Sequence, residues 1–556
     1  MSQRPAASGQ HPFAIHAALG PWRPWGRSAI DEAVRRDVPL AVLVGDALDA
    51  WTAQWLNAIH ADSELCALLD TAFVPVAAER CDHPGLAALA QQVLGLVADA
   101  AGVPCLLVLL PGLPPRALGA VPYGPLRDGE QRKGLARILL ETAEAWRLAA
   151  DDLRGEAERL ASTLSGLPFA LAGDGRVVPE RVLGLAEAQL MGEAHALEGG
   201  FGATPDGACA LPRWPQPEKL RLLAALAAQT DAAPSLRAHL ERSLAALAAG
   251  GIRDQLGGGF HRAAADAGWN EPLWEQRLAD QARLALAFLD GFRLTGQPLH
   301  RTVAEQALLW AVRVLAQDAG RWAAGRHAIA ETADGAQPGA FHAWSQPQCA
   351  AIVGEDGARI LATRFALDDT PGPLAVRGTA HARLPELVAR LAAAREERAA
   401  PPLDPRDDLA AHGWLLAALQ AAAELPRPES DLIVARDALR ARLSALAPIG
   451  RAVERAAIAY GLACAGDAAA GRWLPAAGDG PLLADADALV APMPCDAEDT
   501  VDGPGAAGAL ALALAALGRH DEALTVCRAH AGLLNKAPAV APSLVLGGLK
   551  SAIRAG

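Results

Sequence analysis

The hydrophobic pattern changes once along this chain, and that change limits the folds open to it. In the first part, apolar runs of strand length alternate with helical segments. The runs are residues 39–45 (PLAVLVG), 73–79 (FVPVAAE) and 104–110 (PCLLVLL). Such runs lack polar alternation, which is typical of strands buried on both faces of a helix-covered sheet. The first part is therefore predicted to be an α/β domain.

Helix signals lie between these runs. Ser28, with Asp31 three residues later, predicts a helix start with the serine as N-cap. Residues 47–59 and 86–100 are predicted to be helical. Pro75 weakens the second strand or places it near the edge of the sheet, because proline cannot donate a ladder hydrogen bond.

From residue 217 onward the pattern becomes helix after helix. Leu236, Leu240, Leu244 and Leu247 fall on one face at the spacing of an amphipathic helix. Ser345 with Gln348 predicts a capping box before another helix. Paired helices with short turns favour a solenoid or a closed ring of helical hairpins. No fixed repeat is visible, which weakens the solenoid interpretation.

A change in composition separates the two parts. Residues 116–128 are rich in Pro and Gly and lead out of the first unit, and a helix is predicted at 134–148. The mixed Gly/Pro stretch 164–181 is the predicted linker. We therefore expect a domain at 1–165 and a helical domain at 185–556.

Composition excludes several functions. The net charge of −13 argues against a nucleic-acid partner, since phosphate neutralisation needs basic patches. Residues 1–20 contain no signal-peptide run, and the longest apolar stretch, 506–517, is too short to span a bilayer. A cytoplasmic protein without membrane association is expected. The eight cysteines form no Cys-x-x-Cys pair, and no spacing indicates a metal site or a cofactor.

One glycine-rich turn is the strongest local signal. Residues 250–262 read GGIRDQLGGGFHR and lead to a tryptophan-rich segment. The nearby polar and aromatic residues are Asp254, His261, Arg262, Trp269 and Glu275. Three successive glycines allow close backbone approach, so an inter-hairpin loop with tight packing is one interpretation. The alternative is a sugar site with an aromatic floor, acids and a base.

The first part resembles the N-terminal domain of the family containing spermatogenesis-associated protein 20. That family typically has Cys-His-Trp-Cys-His after the first central strand of a thioredoxin-like domain. At the aligned positions Trp51 is kept, and Asp49 and Thr52 replace the cysteines. Pro104 matches the proline, typically cis, that faces the redox site. The resemblance implies a thioredoxin-like fold without dithiol chemistry, because no thiolate is left to attack a disulfide. A strand-core role is expected for Cys105.

The second part resembles the same family more specifically. Gly-Gly-Ile-x-Asp-Gln, the run from Gly257 to Arg262 and the Phe341-His342-Ala343-Trp344 motif all match, whereas Leu273 and Gln276 replace a family His and Lys. The resemblance implies an (α/α)6 toroid similar to N-acylglucosamine epimerases and six-hairpin glycosidases. Active sites of that fold lie in the central funnel.

Two functions remain open. The first is non-catalytic binding of a carbohydrate, another small molecule or a protein partner. The loss of family residues from both the redox motif and the helical-domain motif favours it. The second is a carbohydrate-active enzyme of epimerase or glycosidase type, using a histidine or a carboxylate pair. The candidate catalytic residues are His261, Glu275, Glu331, His342 and His412, with Asp499 as a further carboxylate or a helix cap. The candidate binding residues are Gln255, Phe260, His261, Arg262, Trp269 and Trp344.

Overall fold

The computed structural model describes residues 20–98, 100–129, 132–204, 206–318, 320–333, 335–474, 498–500 and 503–555. Residues 1–19, most of the stretch searched for a signal peptide, lie outside these ranges. The contacts divide the chain into two compact units, the first ending at Ala170 and the second beginning at Leu171.

The first unit is a sheet with helices. Its strands are β1 (Arg23–Pro24), β2 (Leu40–Gly45), β3 (Val74–Glu79), β4 (Cys105–Leu110) and β5 (Arg116–Pro122). Its helices are α1 (Arg27–Arg36), α2 (Ala50–Ala61), α3 (Ser63–Ala72), α4 (Pro84–Ala98) and the start of α5 (Leu135–Ala172). Strands β2, β3 and β4 are buried along their whole length, as their unbroken apolar runs predict.

The strand order in this sheet is β1-β3-β2-β4-β5. β1, β3 and β2 run parallel, β4 is antiparallel to β2, and β5 is antiparallel to β4. Two apolar clusters fill the two faces of the sheet. This topology agrees with the thioredoxin-like fold expected from the resemblance.

Several local predictions for this unit are wrong. Helix α1 begins at Arg27 with Gly26 as its N-cap, so Ser28 lies inside the first turn and makes no cap hydrogen bond. The prediction for Pro75 is correct: β3 lies between β2 and the two-residue edge strand β1, so Pro75 is near the edge of the sheet as predicted. β1 pairs only with Val76 and Ala77, which leaves the proline outside that ladder. The segment predicted to lead out of the domain contains strand β5, and α3 was not predicted.

The second unit is mostly helical. Its helices after α5 are α6 (Pro179–Gly192), α7 (Pro217–Ala227), α8 (Pro234–Ala249), α9 (Leu278–Thr295), α10 (Pro298–Val314), α11 (Gln346–Arg364), α12 (Leu384–Arg395), α13 (Leu409–Ala423), α14 (Ser430–Ala445), α15 (Ala452–Cys464), α16 (Ala506–Ala516), α17 (His520–Ala529), α18 (Ala531–Leu534) and α19 (Pro542–Ala555), with 3-10 turns at Ala468–Trp473 and Pro538–Val540. Its short strands are β6 (Ala263–Ala264), β7 (Pro272–Leu273), β8 (Gln276–Arg277), β9 (Gly325–Arg326), β10 (Ile329–Thr332), β11 (Gly335–Pro338) and β12 (Leu403–Asp404).

Six of these helices form the centre of the unit. In the order α7, α9, α13, α15, α16, α19, each helix packs against the next, and α19 packs against α7. Most side chains of the first five are buried, as expected for helices covered on all sides. The outer helices α8, α10, α14 and α17 pack against α7, α9, α13 and α16, respectively.

Helix ends explain other features of the sequence. Ser345 caps α11 in the predicted capping box, with Gln348 bonding back to its backbone N–H. Helix α5 is kinked at Ala149, whose φ of −145° and ψ of 46° are not helical, and its second part runs to Ala172. The first half of the predicted linker at 164–181 is therefore helical, which corrects that prediction. None of the described helices combines the length and the apolar character needed to cross a bilayer.

Candidate functional site

Hydrogen bonds link the two residues that replace the redox cysteines. Asp49 is the N-cap of α2, and its carboxylate accepts from the backbone N–H groups of Trp51 and Thr52 at 3.0 Å each. The Thr52 hydroxyl donates to Asp49 Oδ2 at 2.9 Å and accepts from the Asp46 N–H at 3.1 Å. The two replacements therefore bond to each other and to the start of the helix, which Asp49 caps.

The surroundings of this position keep the family pattern. The ring of Trp51 stacks on Tyr123, with ring centres 6.0 Å apart. The Val103–Pro104 peptide is cis, as expected for this fold. Cys105 pairs with Val44 in the sheet, so Pro104 lies beside the end of β2, from which the chain continues to Asp49. Burial raises the pKa of Cys105 to about 12, which leaves its thiol protonated at neutral pH.

A small acidic group lies next to the vacant redox position. Asp46, Glu79 and Cys81 offer ligand atoms within 4.8 Å of one another, although no metal spacing was evident in the sequence. The carboxylates are already engaged. Asp46 pairs with Arg80 and accepts from the Leu48 N–H, and Glu79 accepts from the Ala47 N–H at 2.8 Å. The group therefore serves the local hydrogen-bond network.

In the second unit, the conformation of the glycine-rich turn fixes the positions of the candidate site residues. Gly258 has φ +91°, and a Cβ at Gly259 would lie 2.5 Å from the ring of Trp310. These positions need glycine because the backbone is left-handed at the first and touches an aromatic ring at the second. Asp254 closes the turn by accepting from the N–H groups of Leu256 and Gly257, at 3.0 Å each.

The chain leaving this turn is extended and pairs with the segment before α9, with the Arg262 N–H donating to the Glu275 carbonyl at 3.0 Å. Successive side chains on extended chain point to opposite sides. On one side the rings of His261 and Trp274 lie 5.2 Å apart. On the other, Arg262 Nε lies 3.8 Å from the Glu275 carboxylate. The motif therefore contributes to two separate pockets.

We call the first one the histidine pocket, lined among others by Arg253, Asp254, His261, Trp274 and His342. The two imidazole rings meet edge to face at 4.7 Å, and the ring of Trp274 lies parallel to His342 at 6.0 Å. His261 Nδ1 lies 3.0 Å from the Trp274 carbonyl oxygen. His342 Nδ1 lies 3.6 Å from Asp254 Oδ2, beyond hydrogen-bond distance.

The electrostatics of this pocket are set by burial and by one arginine. Burial alone would raise the pKa of Asp254, but Arg395, whose Nη1 lies 2.7 and 2.9 Å from its two oxygens, holds that pKa well below the usual value. Burial lowers the pKa of His261 to about 3 and also lowers the pKa of His342. Both histidines are therefore neutral at pH 7, each with one donor and one acceptor.

We call the second one the ring-mouth pocket, lined among others by Trp214, Gln216, Arg262, Asp280 and Arg283. Arg283 on α9 forms a two-pronged ion pair with Glu218 in the first turn of α7, at 2.6 and 3.0 Å. The N-terminal ends of α7 and α9 therefore lie side by side. The guanidinium of Arg262 lies 5.0 Å from the ring centre of Trp214.

Asp499 belongs to the same end of the helical unit. Its carboxylate accepts from the Ser543 N–H in the first turn of α19 and from the Gly505 N–H just before α16. Burial and the nearby Glu218 raise the pKa of Asp499 to about 8. N-terminal ends of four central helices thus meet where these carboxylates lie.

Four of the predicted binding residues have internal structural partners. Gln255 donates to the carbonyls of Ala248 and Gly250, and Phe260 stacks on Phe288 in the core. Trp269 donates to the Glu198 carbonyl at 3.1 Å and is covered by Arg213. Trp344 is buried under Arg398 in a separate apolar cluster. Of the predicted binding residues, Gln255 and His261 line the histidine pocket, and Arg262 lines the ring-mouth pocket.

Two predicted catalytic residues lie elsewhere. Glu331 is exposed on the β10–β11 hairpin, opposite Ala336. His412 lies near the start of α13, where Nε2 accepts from the Trp322 N–H at 3.0 Å and Nδ1 lies 2.6 Å from the Asp408 carbonyl. Both nitrogens of His412 are thereby held by the backbone. Trp214, Glu218, Asp280, Arg283 and Arg395, none of them predicted, take part in the pockets instead.

The buried histidines make stability depend on pH. The folded-state pKa of His261, about 3, lies below its value in the unfolded chain, near 6.5. Between those values the unfolded chain binds the extra proton, so the free energy of unfolding falls as the pH drops below about 6.5. We expect His261→Asn to flatten this slope by up to about 1.4 kcal/mol per pH unit, measured by urea unfolding followed by circular dichroism. Equal slopes in both proteins would contradict this assignment.

Comparison with known proteins gives two results. Residues 9–165 match the family Thioredox_DsbH, described as a protein of unknown function, DUF255. The mouse and human proteins named spermatogenesis-associated protein 20 are 26% identical over 356 residues and 27% identical over 355 residues, each alignment covering 62% of this chain and 44% of the relative. The rat protein of that name is 26% identical over the same shares.

The matched region thus spans less than half the length of these relatives. The family match covers the first unit, where the sheet, the cis proline and Trp51 are retained without the cysteine pair. These findings confirm the resemblance first seen in the motifs. The chain is a divergent relative of the spermatogenesis-associated protein 20 family, with an N-terminal Thioredox_DsbH domain.

Proposed function

We propose that this is a redox-inactive thioredoxin-fold protein whose helical unit is an (α/α)6 toroid that binds a carbohydrate ligand at its mouth without acting on it. Support for the toroid comes from the six central helices, each packed against the next, with the last against the first. The glycine-rich turn and the resemblance to a six-hairpin family favour the same architecture.

One observation carries the binding proposal. Trp214, half-buried, lies at the ring-mouth pocket beside Arg262 and Asp280, where the ends of two central helices meet. An aromatic face beside a few convergent polar groups is the usual composition of a small-molecule site. The pocket has room for about one water-sized group. A sugar ring would therefore stack on Trp214 and place one hydroxyl between the charged groups.

The absence of catalysis follows from how the charged groups are used. Glu218 is held by Arg283, and Arg283 Nη1 also lies 3.4 Å from Asp280. Arg262 lies 3.8 Å from both Glu275 and Asp280. Carboxylates paired with arginines can orient a ligand, but their oxygens are already engaged and are not free to take a proton from it.

The test is a thermal-shift screen of the full chain against monosaccharides and disaccharides, since a ligand that binds only the folded state raises its Tm. We expect at least one saccharide to raise the Tm, and Trp214→Ala to remove that shift. Trp51→Ala, which alters a half-buried tryptophan of the other unit, is the matched control and should keep it. A panel without any shift, or a shift that Trp214→Ala leaves intact, would contradict the proposal.

A carbohydrate-active enzyme is the second candidate, and Asp499 is the observation that favours it. A carboxylic acid with a pKa of about 8 is neutral at pH 7, as a general acid must be, and Glu218 lies close enough to affect it. If this candidate is correct, saccharides will be epimerised or hydrolysed, and Asp499→Asn will abolish turnover without abolishing binding. Binding with no turnover would support the first candidate.

A further inference from the structure

The histidine pocket contains a polar side chain that lacks a hydrogen-bond partner. His342 is 6% exposed, and neither of its ring nitrogens has a hydrogen-bond partner among the described residues. A neutral imidazole carries one N–H and one lone pair, and leaving them unmet in a buried place is destabilising. The charged oxygen Asp254 Oδ2 is 3.6 Å from Nδ1, so a bound group that bonds to the ring would relieve this cost.

The same pocket contains a half-buried cation whose hydrogen-bond partners are neutral. Arg253 bonds to the side-chain oxygens of Gln255 and Gln306 and lies 3.4 Å from the Ala248 carbonyl. Its Nε is buried and has no hydrogen-bond partner in the described part of the chain. Burial lowers the pKa of Arg253 to about 10, as expected for a positive charge that its surroundings compensate poorly.

The one carboxylate of the pocket does not correct this imbalance. Asp254 is bound by Arg395, whose Nε also lies 3.6 Å from the exposed Glu396. Arg326 adds a further, half-buried cation nearby, lying 5.0 Å above the ring of Phe341. The surroundings therefore carry a surplus of positive charge. A metal cation bound between the two histidines would add to this surplus, so the charge favours an anion.

We propose that the histidine pocket binds the oxyanion of a small molecule, a carboxylate or a phosphate group, with Arg253 supplying the charge and His342 the hydrogen bond. The pocket has room for about one water-sized group, so an oxyanion would enter it with a single oxygen. Charge-assisted hydrogen bonds to guanidinium are the strong ones in anion recognition. This site does not rest on the proposed carbohydrate binding, because it lies on the other side of the extended chain.

The experiment titrates the full chain with inorganic phosphate and, separately, with acetate, with sodium chloride at matched ionic strength as the salt control. We expect saturable heat and a raised Tm with phosphate, acetate or both, and the two arms identify the oxyanion. Arg253→Gln should weaken binding by roughly tenfold or more, since hydrogen bonds to charged groups contribute about 1.5–3 kcal/mol. His342→Phe should weaken it as well.

Two controls keep the outcome interpretable. Arg237→Gln removes an exposed arginine of α8 and should bind the anion as the unaltered protein does, and so should Trp214→Ala, which affects only the ring-mouth pocket. If Arg253→Gln has no folded baseline, His342→Phe decides the question. The proposal is overturned if no anion exceeds the chloride control, or if both pocket variants bind as tightly as the unaltered chain.

Discussion

The double variant Asp49→Cys/Thr52→Cys is expected to acquire a disulfide and to reduce insulin disulfides, which the single variants will not do. The Thr52 hydroxyl and the Asp49 carboxylate are 2.9 Å apart in the structure, so the two positions are already in contact. Asp49 is the N-cap of α2, and a helix N-terminus lowers the pKa of a thiol placed there.

The readouts for this variant are free-thiol counts after mild oxidation and turnover with dithiothreitol as the reductant. A lone cysteine cannot complete an intramolecular dithiol cycle, so Asp49→Cys alone and Thr52→Cys alone serve as matched controls. If the double variant stays reduced under oxidising conditions, the geometry assigned to the vacant site is wrong.

Asp254→Ala is expected to destabilise the helical unit by about 3–5 kcal/mol, because it leaves Arg395 buried without its bound carboxylate. The change also removes the acceptor for the N–H groups of Leu256 and Gly257, which loosens the glycine-rich turn. Urea unfolding followed by circular dichroism measures the loss.

The matched control is Asp431→Ala, which removes an aspartate that pairs with Arg313 on the surface. An exposed pair contributes at most about 1 kcal/mol, so this control should change little. A double-mutant cycle with Arg395→Ala should give a coupling energy of roughly 2 kcal/mol or more if the pair is the cause. Equal effects of the two aspartate changes would show that burial does not decide the outcome.

The first unit was largely readable from the sequence. The apolar runs at β2, β3 and β4 were visible because both faces of those strands are covered. β5 was not predicted because its sequence, RALGAVP, has the composition of a turn. Its pairing with β4 is what makes it a strand. Ser28 is not the cap because the N-cap is Gly26, so the helix begins two residues earlier than predicted.

The residues of the two pockets could be predicted only in part from the sequence. The glycine-rich turn could be predicted because tight backbone packing requires glycines, which appear as a run in the sequence. The partners of that turn are distant in sequence: Arg395 lies 141 positions from Asp254, and Arg283 lies 65 from Glu218. A single sequence does not reveal such pairings, because only the packing of the helices brings the partners together. His412 was predicted as a site residue because the sequence alone does not distinguish a catalytic histidine from a buried histidine that is hydrogen-bonded to the backbone.

We expect the thioredoxin-like unit to keep its fold without its redox chemistry, which leaves the helical unit as the place of the function. Insulin reduction by the unaltered full chain tests it most directly, with dithiothreitol present and thioredoxin as the reference. We expect insulin to precipitate no faster than with dithiothreitol alone, because Cys105 is buried and has a pKa of about 12. A catalysed rate that disappears in Cys105→Ser would contradict the account.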